Sequence, residues 1–240
     1  MKHNLSRMAK FLKHEPCEKC KSKDNKAVYS DGSSWCFGCH AYTPPKHREV
    51  SIPKTTRSPP DDLMKQLPFL YSQWLDEYNL TPKEKTYFKW SPSLRRMVTT
   101  LMNKDIGIFW EGRSLTKTPK TLSFGEKPYV IFLNGDMFSQ ISTTSLIIVE
   151  DIVSALKVSR TVPTFPLFGS HLSDKNKYRL AQNFKEIYIW LDYDKYKEAM
   201  DLAKDLTLLG VKAQVICTKE DPKKYDNILD ILKERGIITP

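Results

Sequence analysis

The most regular hydrophobic pattern lies in the last hundred residues. Ser145-Leu-Ile-Ile-Val-Glu150 is an apolar run ending on an acid, and 151–159 then has helical spacing. Pro163 to Phe168 is a second apolar run and 173–183 a second helix; Glu186-Ile-Tyr-Ile-Trp-Leu-Asp192 is a third run. A third helix over 195–209 ends at Gly210, before a fourth run over 211–217. Short continuous apolar runs between turn signals mark buried strands. Their alternation with helices implies a parallel sheet with right-handed crossovers. Upstream, Leu63 to Leu80 has helical spacing, and Pro82 suits the first turn of another helix. Between 95 and 140 the apolar runs are shorter. Met97-Val-Thr-Thr-Leu, Ile106-Gly-Ile-Phe-Trp and Tyr129-Val-Ile-Phe-Leu are strand candidates of a mixed α and β subdomain.

The first sixty residues are patterned differently. Residues 1–14 suggest a short basic helix or a flexible lead. Lys26-Ala-Val-Tyr-Ser30 and Ser34-Trp-Cys-Phe37 alternate in strand fashion around Asp31-Gly32, a hairpin signal. Residues 43–62 hold five prolines, several charges and only two large aliphatics, a composition that predicts a flexible linker. The predicted organisation is therefore a small antiparallel module over 1–42, a linker over 43–62, a mixed subdomain over 63–142 and a parallel α/β sheet over 143–240.

The chain has 240 residues, and its net charge of +10 favours a polyanionic partner. Residues 1–60 hold twelve Lys/Arg against five Asp/Glu, so +7 of that +10 lies in the first quarter. No apolar run approaches the roughly 18 residues of a spanning helix, and the N-terminus lacks the apolar core of a signal peptide. The expectation is a cytoplasmic protein without a membrane partner.

Cys17-x-x-Cys20 and Cys36-x-x-Cys39 then change the reading of the first module. Four thiolates at this spacing match a structural zinc site, one ion held between two tight knuckles. Strand hairpin and knuckles together make a zinc ribbon. Tyr29, Trp35, Phe37, His40 and Tyr42, interleaved with Lys19, Lys21, Lys23 and Lys26, suit single-stranded nucleic acid, whose bases stack on rings. Tyr29, Trp35, Phe37, Lys21 and Lys23 are the leading contact candidates; His40 is expected at the surface and not as a ligand. The fifth cysteine, Cys217, ends an apolar run and is expected to be buried. In the parallel sheet, Glu150 ends one strand and Asp192-Tyr-Asp194 ends another, where ligands of such sheets bind. Three carboxylates gathered there would repel without a divalent ion, which makes them candidate magnesium ligands. Asp151 fits a helix N-cap.

These features together resemble the DNA primases of tailed bacteriophages and their bacterial relatives, whose catalytic core is a Toprim fold. Leu146-Ile-Ile-Val-Glu150 with the helix Ile152-Val-Ser-Ala-Leu156 resembles the first Toprim motif. Phe165-Pro-Leu-Phe-Gly169-Ser170 resembles the turn after the second strand, and Ile187 to Asp194 the paired-aspartate motif. Lys219-Glu-Asp221-Pro222-Lys223-Lys224 is similar to the stretch after the fourth strand. Phe109-Trp-Glu-Gly-Arg113-Ser-Leu with Pro119-Lys120 is similar to part of the primase-specific subdomain, and the resemblance spans nearly the whole chain. One departure is Asp151, where the Toprim motif commonly has Gly.

The resemblance implies a nucleotidyltransferase that makes RNA primers on a single-stranded DNA template from ribonucleoside triphosphates. It implies Glu150, Asp192 and Asp194 as catalytic residues holding one or two Mg²⁺, and Arg113, Lys120, Lys223 and Lys224 as phosphate contacts. The chain has no G-x-x-x-x-G-K-[ST] loop, so a separate replicative helicase is the expected partner. A compact viral protein acting in the host cytoplasm is the expected setting. The other readings are a Toprim-type nuclease and a non-catalytic zinc-ribbon binder of single strands.

Overall fold

The computed structural model describes residues 11–30, 32–43, 58–103 and 107–238. The chain divides into two compact units, Met1–Thr55 and Thr56–Pro240. Most of the expected linker, the hairpin residue Asp31 and the strand residue Ile106 lie outside the described residues.

The first unit is an antiparallel sheet of β1 (Phe11–Glu15), β2 (Lys26–Tyr29), β3 (Ser34–Cys36) and β4 (Tyr42–Thr43), in that order. Of the helix or loose lead expected over 1–14, residues 11–14 belong to strand β1 and residues 1–10 lie outside the described residues. Phe11, Lys13, His14 and Glu15 find partners on β2, with Leu12 at a register shift between Phe11 and Lys13, and lone helical propensity cannot compete with that pairing.

The second unit opens with α1 (Phe69–Asp76) and α2 (Pro82–Lys85). The helix expected from residue 63 starts six residues late because Pro68 disfavours helix before itself. Met64 instead exchanges backbone hydrogen bonds with Trp90. Thr81 and Glu84 cap α2 reciprocally, with Pro82 in its first turn. Asp62 is anchored here too, accepting from the Ser91 hydroxyl at 2.8 Å and the Ser93 amide at 2.7 Å.

Next comes an antiparallel meander, β5 (Phe88–Ser91), β6 (Arg96–Asn103), β7 (Gly107–Arg113) and β8 (Thr121–Phe124). Gly125 follows β8 at φ +90°, and a Cβ there would lie 2.5 Å from the Ile108 carbonyl oxygen, so only glycine fits.

The remaining elements are β9 (Ile131–Leu133), β10 (Asp136–Phe138), β11 (Ser145–Val149), α3 (Ile152–Val158), β12 (Thr164–Pro166), α4 (Asp174–Asn183), β13 (Glu186–Ile189), α5 (Tyr196–Leu208), β14 (Lys212–Val215) and α6 (Ile228–Glu234). They build a six-stranded sheet in the order β10-β9-β12-β11-β13-β14. β11, β12, β13 and β14 are parallel, as the periodicity predicts, and β9 adds antiparallel to β12. The sheet thus begins upstream of residue 143.

Alternate residues of the continuous apolar strands fill two cores. Ile147, Val149, Tyr188 and Trp190 pack with α3, α6, α1 and the meander, including Met97, Leu101 and Phe109. Leu146, Ile148, Ile187 and Ile189 pack with Leu180 of α4 and Leu202 and Leu206 of α5. Each such side chain is worth about 1.5–3 kcal/mol when fully buried. Cys217 lies past the end of edge strand β14 and is exposed, contrary to expectation. Among the described residues no helix is long and apolar enough to cross a membrane.

Candidate functional site

In the first unit the two cysteine pairs form matching knuckles. The Lys21 amide donates to the Cys17 carbonyl and the His40 amide to the Cys36 carbonyl. Lys21 and His40 both adopt positive φ, 61° and 56°. The four sulfurs lie within 4.8 Å of one another, and Cys17–Cys39 and Cys20–Cys36 are each 3.6 Å apart. A tetrahedral ion with bonds of about 2.3 Å separates its sulfurs by about 3.8 Å, so the donor set fits zinc. The thiols alone cannot all ionise. The Cys20 backbone amide helps bring Cys17 down to about 6. At Cys39 the Ala41 amide pulls the same way, but burial and the neighbouring thiols outweigh it and push Cys39 up to about 12. His40 is exposed and stacks near Trp35 at 5.7 Å, so it is no ligand.

The strand registers put the rings on one face of this small sheet. His14 is opposite Ala27, Ala27 opposite Trp35, and Trp35 opposite Tyr42, while Phe11 is opposite Tyr29. Ring contacts join Phe11 to His14 and Tyr29, His14 to Phe37, and Trp35 to Tyr42. Phe37 and Tyr42 are 58% and 59% exposed, whereas Tyr29 and Trp35 are half-buried. Phe11 and His14 had no sequence signal beyond their type, because their membership in the platform depends on β1. Lys21 and Lys23 are exposed on the knuckle side of the unit.

In the second unit Glu150 and Asp192 meet at the carboxyl ends of β11 and β13. Glu150 Oε2 and Asp192 Oδ1 are both buried without a hydrogen-bond partner. Burial, then repulsion from Asp192 and Asp151, pushes Glu150 up to about 7. Burial, then repulsion from Asp151, pushes Asp192 up to about 6. Two orphaned carboxylate oxygens, on residues close enough for the charge of Asp192 to raise Glu150, are donors that a hard divalent cation would satisfy. Asp194 does not join them. It sits in the turn Tyr193–Lys195, its side chain 56% exposed, paired to Lys195 at 3.1 Å.

Asp151 caps α3 by accepting from the Ser154 amide at 2.8 Å, as predicted. It also meets Lys223. That lysine is 4% exposed, and its ammonium lies 2.9 Å from Asp151, 2.9 Å from Asp192 and 3.2 Å from Asp221. Its ammonium donates to Asp151 and Asp192, and Asp221 adds a third carboxylate within ion-pair distance. Lys223 therefore holds the acids in place and is not a phosphate contact in this arrangement. Burial would raise Asp151, but Lys223 and the Ser154 amide keep it below the usual carboxylate range.

The opposite wall comes from the meander. Phe109 contacts Phe168 at 4.9 Å and so seats β7 against the turn after β12. Two and four residues further on, the same strand face carries Glu111 and Arg113. The Arg113 guanidinium lies over the Trp74 ring at 4.7 Å, and its Nε is buried without a hydrogen-bond partner. Glu111 accepts from Ser123 at 3.2 Å; burial, then the charge of Asp151, pushes it up to about 7. Lys127 was not singled out in the sequence. It lies over Gly169, where a Cβ would come 3.2 Å from its ammonium. Burial holds Lys127 below its ordinary value while Glu111 and Glu150 pull it up. The Gly169 amide in turn donates to the Glu150 carbonyl at 3.1 Å. Lys120 is exposed; its carbonyl, not its ammonium, is used, accepting from the buried Arg96 at 3.0 Å. Lys224 is exposed and pairs with Glu220.

No family model matches the chain. A stretch of 49 residues, 20% of this chain, is 45% identical to the DNA helicase/primase of Enterobacteria phage T3 and spans 9% of that protein's length. Among solved structures, the zinc-binding and RNA polymerase domains of the Aquifex aeolicus primase match 96% of this chain and 80% of theirs, with a TM-score of 0.54 at 14% identity. The primase fragment of the bacteriophage T7 primase-helicase matches 94% of this chain and 99% of that chain at a TM-score of 0.47 and 15% identity. The chain is thus similar to a phage DNA helicase/primase in a short stretch of sequence and to a bacterial DNA primase in its fold.

Proposed function

We propose that this protein is a DNA primase, a nucleotidyltransferase that joins ribonucleotides into a short primer on single-stranded DNA. The observation that carries this reading is the meeting of Glu150 and Asp192, each with a buried oxygen left unpartnered. Those two residues would hold Mg²⁺, with Asp194 as an outer carboxylate. The ion would supply positive charge to polarise the α-phosphate and balance the charge of the leaving pyrophosphate.

The residues themselves divide the remaining work. The 3′-hydroxyl oxygen forms a bond to the α-phosphorus while the bond to the pyrophosphate oxygen breaks. Glu150 would serve either as a ligand of the ion or, its carboxylate made more basic by burial, as acceptor of the hydroxyl proton. Lys127 and Arg113 face the carboxylates from the other wall and are placed to bind the triphosphate. Lys120 and Lys224 remain on the outer surface, where they can meet template phosphates. Lys223 fixes the direction of Asp192. In the first unit, the ring platform with Lys21 and Lys23 suits stacked template bases. A replicative helicase as partner belongs to the same proposal, since the matched phage relative is named a helicase/primase.

The test is incubation with single-stranded DNA, labelled ribonucleotides and Mg²⁺, with products sized on a gel. Glu150→Gln and Asp192→Asn should each lower primer synthesis at least about a hundredfold, the lower end of the usual effect of losing one charge-stabilising or proton-transfer group. Wild-type-like synthesis by either variant would remove the assignment.

A further inference from the structure

α4 has one buried face, through Asn176 and Leu180, and one that faces a hollow. Lys175, Tyr178, Arg179, Gln182 and Asn183 follow the spacing of a single helical face. They line a cavity of about 450 Å³ whose far wall is Tyr129 with residues 139–141. A second hollow, formed by 140–144 and Asn183, shares three of these residues, so the two join as one trough. Residues 140–144 lead into β11 and Asn183 precedes β13. The trough therefore reaches the amino ends of the parallel strands, opposite Glu150 and Asp192. No carboxylate lines either hollow.

Arg179 shows what the trough is built to receive. Arg179 is half-buried, its guanidinium carbon 3.9 Å from the centre of the Tyr129 ring, and it has no carboxylate partner among the described residues. Tyr129 is itself buried, with Phe165 at 5.4 Å, and Asn183 donates to the Arg179 carbonyl at 2.6 Å. The arginine is thus preorganised, and a partly desolvated guanidinium without an anion is costly. Its planar fork matches a phosphate. Beside it, the exposed Tyr178 ring offers a stacking surface, and the amides of Gln182 and Gln140 can both donate to and accept from a base edge. The volume lies in the range of roughly 300–1,000 Å³ of small-ligand sites.

We propose that the trough along α4 binds a nucleotide unit, its phosphate on Arg179 and Lys175 and its base against Tyr178, at a site separate from the carboxylate pair. The unit can come from a free nucleotide or from a segment of single-stranded nucleic acid. Photocrosslinking of the full chain in EDTA tests this, with azido-ATP in one arm and a thiothymidine-containing oligodeoxynucleotide in the other, and labelled peptides mapped by mass spectrometry. Label is expected on the α4 or Tyr129 peptide and should persist in Glu150→Gln. It should fall about tenfold in Arg179→Ala and several-fold in Lys175→Ala, whose exposed side chain leaves the fold intact. Label from azido-ATP alone assigns a free nucleotide, and label from the oligonucleotide assigns a strand. No label at α4 from either probe, or label indifferent to both substitutions, overturns the site whatever the primer assay gives.

Discussion

At the residue scale, the carboxylate site is governed by burial and mutual repulsion. Lys223 offsets Asp151, Asp192 and Asp221 but leaves Glu150 and Glu111 near neutrality, each pushed up to about 7. An acid whose folded pKa is raised binds its proton more tightly in the native state. Its contribution to stability is present at low pH and is lost as pH rises from the unfolded value of about 4.3 through the folded one. Glu111→Gln cannot lose a proton. Its stability relative to the wild type should therefore improve from pH 4.5 to pH 7.5, by up to about 2–3 kcal/mol. Urea denaturation across that range checks this; a pH-independent difference would place Glu111 in a more polar setting than the structure gives it. Lys127 was hidden in the sequence because it belongs to no apolar run or spaced motif, and Glu111, though inside the Phe109–Leu115 stretch, carries no local sign that it faces the acids. Only the seating of β7 and the turn at Gly169 brings them to the acids.

At the element scale, local rules decided the strands and helix starts, and neighbours decided the exceptions. The place of Pro82 in the first turn of α2 and the capping of α3 by Asp151 follow from short-range chemistry, and both were legible. β1 was not, since Phe11–Glu15 becomes a strand only through pairing with β2. That pairing enlarges the ring platform from the residues named at the outset to include Phe11 and His14. Tyr42 stands at its open edge, 59% exposed, and its loss should leave the fold unchanged. Tyr42→Ala is expected to weaken binding of an oligodeoxynucleotide by about 1–3 kcal/mol, read by fluorescence anisotropy at fixed salt. Unchanged affinity would take Tyr42 out of the binding face.

At the scale of the whole molecule, Met1–Thr55 and Thr56–Pro240 are separately compact, and only the first depends on the cysteine cluster. Chelating the metal should abolish the first unit's calorimetric transition and leave that of the second within about 2 °C. A single transition that shifts as one would show the units to be coupled. By itself the sequence determined the zinc ribbon, the parallel strands of the six-stranded sheet and the acids at their ends. Each rests on spacing along the chain: two residues between cysteines, an unbroken apolar run, an acid where the run stops. Tertiary structure alone decided that Lys223 pairs with three acids, that Asp194 turns outward, that Lys127 and Glu111 lie near the acids, and that Arg179 faces a trough. Those outcomes depend on packing between segments far apart in sequence, where burial and charge from several elements add at one point and no single segment carries the signal.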